Sequence, residues 1–460
     1  MSDTINRLVE SQRARFRSGA TKSIKYRDRQ LRLLEKLCLE NEKEIVTAVN
    51  ADLGRDYFDA YMSEVGSIVW EIRYVLRKLR GWCRPRAVHT PLSVAPASAR
   101  TYPEPKGCCL IIGTWNYPVH LVLKPLIGAL AAGNCCIVKP GEKARETSAL
   151  HGRIIPQYFD SSSVAVVVGD ETIGSRLLDY RFDQIFFTGS HRVAKIVMGK
   201  AVQNLTPVIL ELGGSNPCIV TPNTKIETTA KRIAWASLFN TGQTCLAPGF
   251  VVAHSSIAER LIESVITQIR TFYQDHPETD PAFGRLISTE HAGRIESLLE
   301  GQDIRWGGKT NVAERYVEPT IVASSDWDNP LVVEEVFGPV LTFLEYSEID
   351  DVLNRLKAME KPIALYLFTR DRSTIRSFAK MTSSGALVVN DLMVHAATNT
   401  IPFGGIGGSG FGSYHGRAGF DAFSHMKPVL KRRLSFDWPI RYPPHRRPGK
   451  LLIKIFKLFM

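Results

Sequence analysis

From Gly107 onwards, short apolar segments alternate with stretches that have the spacing of amphipathic helices. Continuous apolar strands separated by helices are typical of a parallel sheet that is covered on both faces. Before the Gly213-Gly214 pair the apolar segments are 108–112, 135–138, 164–168, 184–187 and 208–210. After that pair they are 217–220, 250–254, 340–343, 364–369 and 386–389. The pattern predicts two doubly wound α/β lobes that meet near Glu211, with ligands bound in the cleft between them.

The first hundred residues follow a different pattern. Residues 4–79 have helical periodicity, and five prolines between 85 and 105 then indicate an extended stretch. With 460 residues the chain is long enough for two or three domains. No apolar run reaches the ~20 residues that span a bilayer, and the first 23 residues lack the apolar core of a signal peptide.

The cysteines and charges exclude several classes of protein. Eight cysteines, with two adjacent pairs, form no disulfide framework, and no Cys/His spacing indicates a zinc site. We therefore expect a cytoplasmic protein without a metal. Of the net charge of +12, residues 427–460 carry +9, so the body of the chain is nearly neutral. A nucleic-acid partner is not expected on this distribution.

One cysteine stands apart from the rest. Cys245 follows a predicted helix over 225–239 and lies in the polar turn Asn240-Thr241-Gly242-Gln243-Thr244. Gly242 breaks the helix, and Pro248 prevents it from resuming. Most free cysteines only pack in the core, and those in the apolar segments fit that description. The polar turn makes Cys245 the candidate nucleophile.

Other polar residues follow the predicted strands. Gly189 and Ser190 come after strand 184–187, where a helix begins and backbone N–H groups can bind phosphate. Lys139 follows strand 135–138, and Glu211 ends strand 208–210 just before two glycines. Glu211 is either a general base or a surface carboxylate on this evidence. Glu335 and Phe337 place a carboxylate and an aromatic ring just before strand 340–343.

Together these motifs resemble the aldehyde dehydrogenase superfamily, in family order over about residues 5–430. The matching stretches are Trp115-Asn116-Tyr117-Pro118, Val138-Lys139-Pro140, Phe187-Thr188-Gly189-Ser190, Glu211-Leu212-Gly213-Gly214, Asn240-Thr241-Gly242-Gln243-Thr244-Cys245, Glu335-Val336-Phe337-Gly338-Pro339 and Pro402-Phe403-Gly404-Gly405. The short N-terminus, Ser413-Tyr414-His415-Gly416 and Arg441-Tyr442-Pro443-Pro444 resemble the class 3 branch, which includes fatty aldehyde dehydrogenases.

The resemblance implies a role for each candidate. Cys245 attacks the aldehyde as a thiolate, the amide of Asn116 and the N–H of Cys245 hold the oxyanion, and Glu211 activates water against the thioester. The implied cofactor-binding residues are Trp115, Lys139, Glu142, Gly189, Ser190, Ala194, Leu212, Glu335 and Phe337. The implied substrate-binding residues are Tyr117, Trp235, Phe239 and Thr244.

The resemblance also implies partners and alternatives. It implies an NAD(P)-dependent oxidation of medium- or long-chain apolar aldehydes to carboxylic acids by a homodimer. Glu142 beside Lys139 favours NAD, with NADP tolerated, because a carboxylate repels a 2′-phosphate. Ala194 stands where the family usually has glycine, which leaves the cofactor preference open. A coenzyme A-acylating enzyme and a non-catalytic binding protein on the same fold remain alternatives.

The C-terminal end adds a possible membrane contact. Residues 450–460 place Lys450, Lys454 and Lys457 on one face of a helix that is otherwise apolar. Such a helix binds a membrane interface or packs on the enzyme itself, so we expect either a peripheral membrane enzyme or a docked tail. The expected domains are an N-terminal NAD(P)-binding domain over 1–210 with an oligomerisation segment over 84–106, a catalytic domain over 211–400, a return segment over 401–426 and a basic amphipathic tail over 427–460.

Overall fold

The computed structural model describes residues 2–91, 94–274, 276–437, 442–443, 449, 453–454 and 457. Most of the predicted tail helix over 450–460 lies outside the described residues. No helix among the described residues is both long and apolar enough to cross a membrane.

The helices of the described residues are α1 Ser2–Arg17, α2 Ile24–Glu40, α3 Glu42–Leu53, α4 Tyr57–Tyr61, a π-helix Met62–Gly66, α5 Ser67–Trp82, α6 His120–Ala132, α7 Arg145–Tyr158, α8 Glu171–Leu177, α9 His191–Gln203, α10 Ile226–Leu238, α11 Ala258–Tyr273, α12 Thr289–Leu299, α13 Pro330–Val333, α14 Ile349–Ala358, α15 Arg372–Met381 and α16 Gly416–Ala422. Short 3₁₀ turns cover Phe239–Gly242, Val394–Ala397 and Gly407–Ser409.

The strands are β1 Arg86–Val88, β2 Ala97–Pro105, β3 Cys108–Ile112, β4 Cys135–Lys139, β5 Val164–Val166, β6 Gln184–Thr188, β7 Val208–Glu211, β8 Asn216–Val220, β9 Pro248–His254, β10 Asp303–Trp306, β11 Thr310–Asn311, β12 Tyr316–Val317, β13 Thr320–Ala323, β14 Val340–Tyr346, β15 Ala364–Phe368, β16 Ala386–Val389, β17 Gly410–Phe411 and β18 Ser424–Arg432. Each of the ten strands predicted from apolar segments is confirmed. The α/β class is therefore confirmed as well.

A six-stranded sheet forms the first lobe, in the order β17-β7-β6-β3-β4-β5. The strands β3 to β7 are mutually parallel, and β17 joins β7 in the antiparallel direction. The chain runs outwards from β3 to β5 and then returns to the other side of β3 with β6. The carboxyl ends of β3 and β6 therefore flank a topological switch point, where ligands of open α/β sheets bind.

A seven-stranded sheet forms the second lobe, in the order β10-β13-β14-β9-β8-β15-β16. Its strands are parallel except for β10 at one edge. The four strands at its centre, β14, β9, β8 and β15, are almost wholly buried, as expected when helices cover both faces.

A third sheet, in the order β1-β2-β18, is formed by the proline-rich stretch and the C-terminal part of the chain. β18 pairs with β2 over nine residues, from the Ser424–Pro105 pair to the Arg432–Ala97 pair. The domain boundary that we placed between residues 426 and 427 falls inside β18, so the first six residues of the expected tail belong to this sheet. A strand whose side chains are mostly exposed resembles a polar tail in sequence, which explains the difference.

The N-terminal helices pack against the first lobe and reach the cleft. Helices α2, α5 and α6 share one hydrophobic core with the sheet strands. The π-helix interrupts the path from α4 to α5. A π-helical turn is uncommon and occurs frequently at functional sites, and here Met62 and Ser63 of this turn line the cavity described next.

Candidate active site

A cavity of about 470 Å³ lies where the two lobes meet. Its lining comes from the ends of β6 and β7, the loop after β3, the turn after α10, the π-helix and the segments around Met393 and Tyr414. Cys245, Asn116 and Glu211 all line it. The structure therefore brings together the three residues to which the family resemblance assigns catalytic roles.

Cys245 stands on a turn with an unusual backbone. Asn240, Thr241 and Gly242 have φ values of 54°, 55° and 71°, so three consecutive residues are left-handed. A Cβ at Gly242 would collide with the carbonyl of Gly338, which explains the glycine. The sequence predicts that Gly242 ends the helix, but α10 ends at Leu238, because the turn is already left-handed at Asn240. Left-handed threonine is rare and costs energy that its surroundings must offset.

Buried side chains hold this turn in place. Gln243 is fully buried, and its amide donates to the carbonyls of Asn240 at 3.1 Å and Arg285 at 3.0 Å. Asn216 Nδ2 donates to the Cys245 carbonyl at 2.7 Å, and Tyr366 donates to the Leu246 carbonyl at 2.6 Å. The backbone on both sides of Cys245 is thus fixed from the second lobe, as a preorganised nucleophile requires.

The Asn116 amide is positioned beside the same turn. Its Nδ2 donates one hydrogen to the Gln243 backbone carbonyl at 3.1 Å, and the backbone carbonyl of Asn116 accepts from Asn240 Nδ2 at 2.8 Å. The side-chain amide has two hydrogens, so the second is free to point towards a ligand. Asn116 is 2% exposed, and an N–H in so dry a site interacts strongly with developing charge.

Glu211 is buried without a partner. It is 3% exposed, and neither carboxylate oxygen accepts a hydrogen bond from any described residue. One oxygen lies against Gly404, where a Cβ would be 3.2 Å away. Burial raises the pKa of Glu211 well above its usual value. A buried carboxyl group with no structural bond is poised to accept or release a proton.

The pKa of the Cys245 thiol is also raised. Burial raises its pKa to about 12, and the charges of Glu335 and Glu211 act in the same direction. The backbone N–H groups of Cys245 and Leu246 donate towards the sulfur and lower the pKa. The thiol is therefore protonated at neutral pH in this state, and forming the thiolate requires a nearby positive charge or base.

A second group of polar atoms in the cavity has the character of a dinucleotide site. Thr188 Oγ1 and Glu335 Oε1 are buried and have no partner among the described residues. Glu335 lies against Gly213, where a Cβ would overlap its carboxylate, and accepts from the Gly214 N–H. Helix α9 begins after Ser190, whose side chain makes no capping bond, so its N-terminal N–H groups are open to a phosphate. These residues fit a bound dinucleotide.

Most of the expected cofactor residues line this part of the cavity. Those that do so are Trp115, Gly189, Ser190, Leu212, Glu335 and Phe337. The rings of Trp115 and Phe337 meet edge to face at 5.3 Å. Lys139, Glu142 and Ala194 are not among the lining residues; Lys139 forms an ion pair with Glu142 at the end of β4, and Ala194 is buried on α9.

The expected substrate residues form the opposite side. Tyr117 donates or accepts a 2.6 Å hydrogen bond with Thr244 Oγ1, beside Cys245. Its ring stacks on Phe239 at 6.4 Å, and Phe239 meets Trp235 at 5.4 Å. The Arg55 guanidinium lies 5.0 Å from the Tyr117 ring centroid and forms a buried ion pair with Glu64 of the π-helix. The four residues are therefore brought together along one wall.

Several residues that line the cavity were not predicted from the sequence. Met62, Ser63, Ser67 and His120 come from the N-terminal helices, and Met393, Val394, Tyr414 and His415 come from the C-terminal part. Helical periodicity predicts that residues of the first group pack in a core, and it does not predict the π-helix. The Ser413-Tyr414-His415-Gly416 motif was the available signal for Tyr414 and His415, although no role was attached to it.

A thiol on a fixed turn and a dinucleotide-type site line one cavity between two doubly wound lobes. This arrangement is typical of α/β oxidoreductases. Comparison with known proteins identifies the family. The profile of the aldehyde dehydrogenase family matches residues 1–429. The chain belongs to that family and is an oxidoreductase that acts on aldehydes.

Individual relatives cover nearly the whole chain. Aldehyde dehydrogenase family 3 member A2 of Mus musculus is 39% identical over 456 residues, which are 99% of this chain and 94% of the relative. The dimeric NADP-preferring aldehyde dehydrogenase of Canis lupus familiaris is 37% identical and covers 96% of this chain and 98% of the relative. The substrate-bound structure of AldH from Staphylococcus aureus superposes with a TM-score of 0.95 at 35% identity, over 98% of this chain and 99% of that chain.

Proposed function

We propose that the chain oxidises medium- or long-chain apolar aldehydes to carboxylic acids through covalent intermediates on Cys245. The thiolate adds to the aldehyde carbon, and the resulting oxyanion accepts from Asn116 Nδ2 and the Cys245 N–H. Loss of hydride leaves a thioester. Glu211 then takes a proton from water as the water attacks the thioester, and the Cys245 thiolate leaves. The unpartnered, buried carboxylate of Glu211 in the same cavity is the observation that favours water as acceptor over coenzyme A.

We infer that the six-stranded lobe holds NAD. The uncapped α9 N-terminus after Ser190, the Glu335 carboxylate and the Phe337 ring would bind it. Lys139 and Glu142 would face its adenosine ribose. When bound, the oxidised nicotinamide supplies the hydride acceptor and a positive charge. The seven-stranded lobe, which carries Cys245, is then the catalytic lobe.

The overall reaction is tested by following the absorbance of reduced dinucleotide with hexanal and decanal, with and without coenzyme A. We expect turnover that does not depend on coenzyme A, with NAD preferred over NADP. Turnover only with coenzyme A would instead indicate the acylating reaction. An absence of turnover with every aldehyde would indicate a non-catalytic binding protein.

Glu142 provides a specific test of the cofactor preference. Its carboxylate pairs with Lys139, and a unit charge about 4 Å from a phosphate in water costs roughly 1 kcal/mol. We therefore expect Glu142→Gln to raise the NADP/NAD ratio of kcat/KM roughly fivefold. Glu227→Gln, an exposed carboxylate in the first turn of α10, is the matched charge control. An unchanged ratio in Glu142→Gln would place the ribose elsewhere.

A homodimer is proposed on the third sheet. β18 forms one edge of that sheet, and Val429 and Leu430 on it are 41% and 53% exposed. An unpaired strand edge with exposed apolar side chains is a natural surface for a second chain, and the canine relative is named dimeric. Sedimentation velocity is the measurement, and a species of 51.4 kDa alone at micromolar concentration would contradict it.

The apolar cavity and the basic C-terminal end together support a peripheral membrane enzyme. Met62, Trp235 and Val394 line the cavity yet are 50%, 41% and 46% exposed, so its mouth is apolar. A helix with Lys450, Lys454 and Lys457 on one face would lie in an anionic interface, each cation contributing roughly 1 kcal/mol. Such an enzyme would bind apolar aldehydes at the membrane into which they partition.

We expect the full chain to float with vesicles containing phosphatidylserine at low salt and to dissociate at high salt. A chain ending at Pro444 should stay unbound under both conditions, and a full chain with Lys450, Lys454 and Lys457 changed to glutamine should bind weakly. Equal, negligible flotation of the full and shortened chains would leave a tail that docks on the enzyme itself.

A further inference from the structure

Two histidines stand together in the wall of the cavity. His120 at the start of α6 and His415 just before α16 both line it, and their ring centroids are 6.3 Å apart. The proposed reaction uses neither. His120 also lies 6.2 Å from the Tyr117 ring, which hydrogen-bonds Thr244 beside Cys245. The pair is therefore connected through Tyr117 to the part of the cavity that contains Cys245.

His415 has unsatisfied hydrogen-bonding groups. It is 2% exposed, and both of its ring nitrogens are buried without a partner among the described residues. Its φ is 70°, a strained value for a residue other than glycine, and such strain occurs at functional sites. One face of the ring stacks on Phe403 at 5.0 Å and 17°. Stacking occupies the ring face, and the two unpartnered nitrogens lie at the ring edge.

The tautomer of His120 follows from its contacts. Nδ1 lies 2.9 Å from the Ser63 carbonyl oxygen, which can only accept, so Nδ1 carries the hydrogen. Nε2 is then an acceptor, and it has no hydrogen-bond partner among the residues that the structure describes. His120 therefore has one free acceptor, Nε2. The neutral His415 ring has one N–H donor and one acceptor nitrogen.

Both rings are neutral at physiological pH. Burial lowers the pKa of His120 to about 3 and lowers the pKa of His415 well below its usual value. Lys124, which is buried and lies 3.2 Å from Glu71, lowers both pKa values further by its charge. Neutral imidazoles do not attract an anion strongly, so the chemistry here suits a neutral hydroxyl group, which both donates and accepts.

We propose that His120 and His415 form a hydroxyl subsite within the aldehyde cavity, which selects aldehydes that carry a second oxygen near the carbonyl carbon. The hydroxyl would donate to His120 Nε2 and accept from the N–H of His415. The ring centroids lie 6.3 Å apart, and each hydrogen bond to a hydroxyl oxygen spans about 2.8 Å. The inference rests on the proposed oxidation of aldehydes and adds a substrate class to it.

The test compares pairs of substrates that differ only in hydrogen bonding. Wild-type enzyme is assayed with 2- and 3-hydroxyhexanal against 2- and 3-methylhexanal, and with hexanal as reference. A buried donor left unpaired costs enough that we expect kcat/KM to favour the hydroxyl over the methyl compound about tenfold at one of the two positions. This comparison needs no variant, so it holds even if substitutions impair folding.

Variants separate the subsite from the intrinsic reactivity of the substrates. His415→Phe keeps the stack on Phe403 and removes both nitrogens, and it should bring the hydroxyl/methyl ratio to within about twofold of unity. His395→Phe is the matched control, since His395 stacks on the same Phe403 ring at 5.8 Å but does not line the cavity. It should keep the wild-type ratio.

The outcomes separate a failure of the hydroxyl subsite from a failure of the proposed function. Oxidation of hexanal with no hydroxyl/methyl difference in the wild type overturns the subsite and leaves the proposed function intact. A wild-type difference that persists in His415→Phe also overturns it. Failure to oxidise any of the aldehydes would instead overturn the proposed function, on which the subsite depends.

Discussion

Replacing Cys245 with alanine abolishes aldehyde-dependent reduction of the dinucleotide, by about a thousandfold or more, while the dinucleotide still binds. The reason is that Cys245 alone carries a thiol among the described residues that line the cavity. Its fixed turn, its two aimed backbone N–H groups and the nearby Asn116 amide serve an adduct that alanine cannot form. The polar atoms that would bind the dinucleotide lie on other elements and remain in place.

Turnover is measured with saturating hexanal and NAD, and binding is measured by calorimetry. Cys83→Ala is the matched control, because Cys83 is half-buried like Cys245 but lies beside Arg27 and outside the cavity. The control should keep wild-type turnover. Cys245→Ala with more than a few per cent of wild-type turnover would refute covalent catalysis through this residue.

The sheet strands could be predicted because their cause is local. A strand buried on both faces needs an unbroken apolar run, and such runs stand out between helices. The predicted strand 184–187 is observed as Gln184–Thr188, and 386–389 is observed as Ala386–Val389. Only the ends differ, since a polar residue such as Glu211 can finish a strand without breaking its backbone pairing.

Long-range pairing could not be predicted in the same way. β2 and β18 are separated by more than three hundred residues, and their side chains are mostly exposed or half-buried. Neither carries an apolar pattern that would reveal the partner. The π-helix at Met62–Gly66 has no distinct sequence pattern either, and the left-handed backbone at Asn240 and Thr241 depends on bonds made by a distant part of the chain.

The identity of the candidate site residues was accessible from the sequence, but their chemical state was not. Cys245 and Glu211 were singled out by their place in the turn and at the strand end. Neither Glu211 oxygen has a partner among the described residues, and burial raises the pKa of both Glu211 and Cys245. Both facts depend on how the two lobes close around these residues. The hydroxyl subsite at His120 and His415 likewise joins residues almost three hundred positions apart.

Glu211→Gln should separate formation of the thioester from its hydrolysis. Cys245 and Asn116 remain, so the first turnover should still release one reduced dinucleotide per site as a burst. The glutamine amide cannot take a proton from water, so steady-state turnover should then fall about 100-fold or more, which is the usual contribution of a positioned base. Rapid mixing with NAD and hexanal, followed by absorbance, measures both phases.

Glu335→Gln is the informative companion to this variant. Burial raises the pKa of Glu335 to about 7, so it resembles Glu211 in charge and environment. It lies against Gly213 on the dinucleotide side. Its loss should weaken dinucleotide binding and slow the burst and the steady state together. A burst without turnover in Glu335→Gln, but not in Glu211→Gln, would exchange the roles that we propose for the two carboxylates.

The pH dependence of the steady-state rate is an independent test of Glu211 as the general base. A general base acts in its ionised form, and the pKa of Glu211 is raised in the folded protein. Hydrolysis of the thioester should therefore increase with pH through that raised pKa and be lost as pH falls below it. Glu211→Gln has no such group, so its residual steady-state rate should lack this acidic limb while the burst rate keeps its own pH profile. If the limb persists unchanged in Glu211→Gln, another group activates the water.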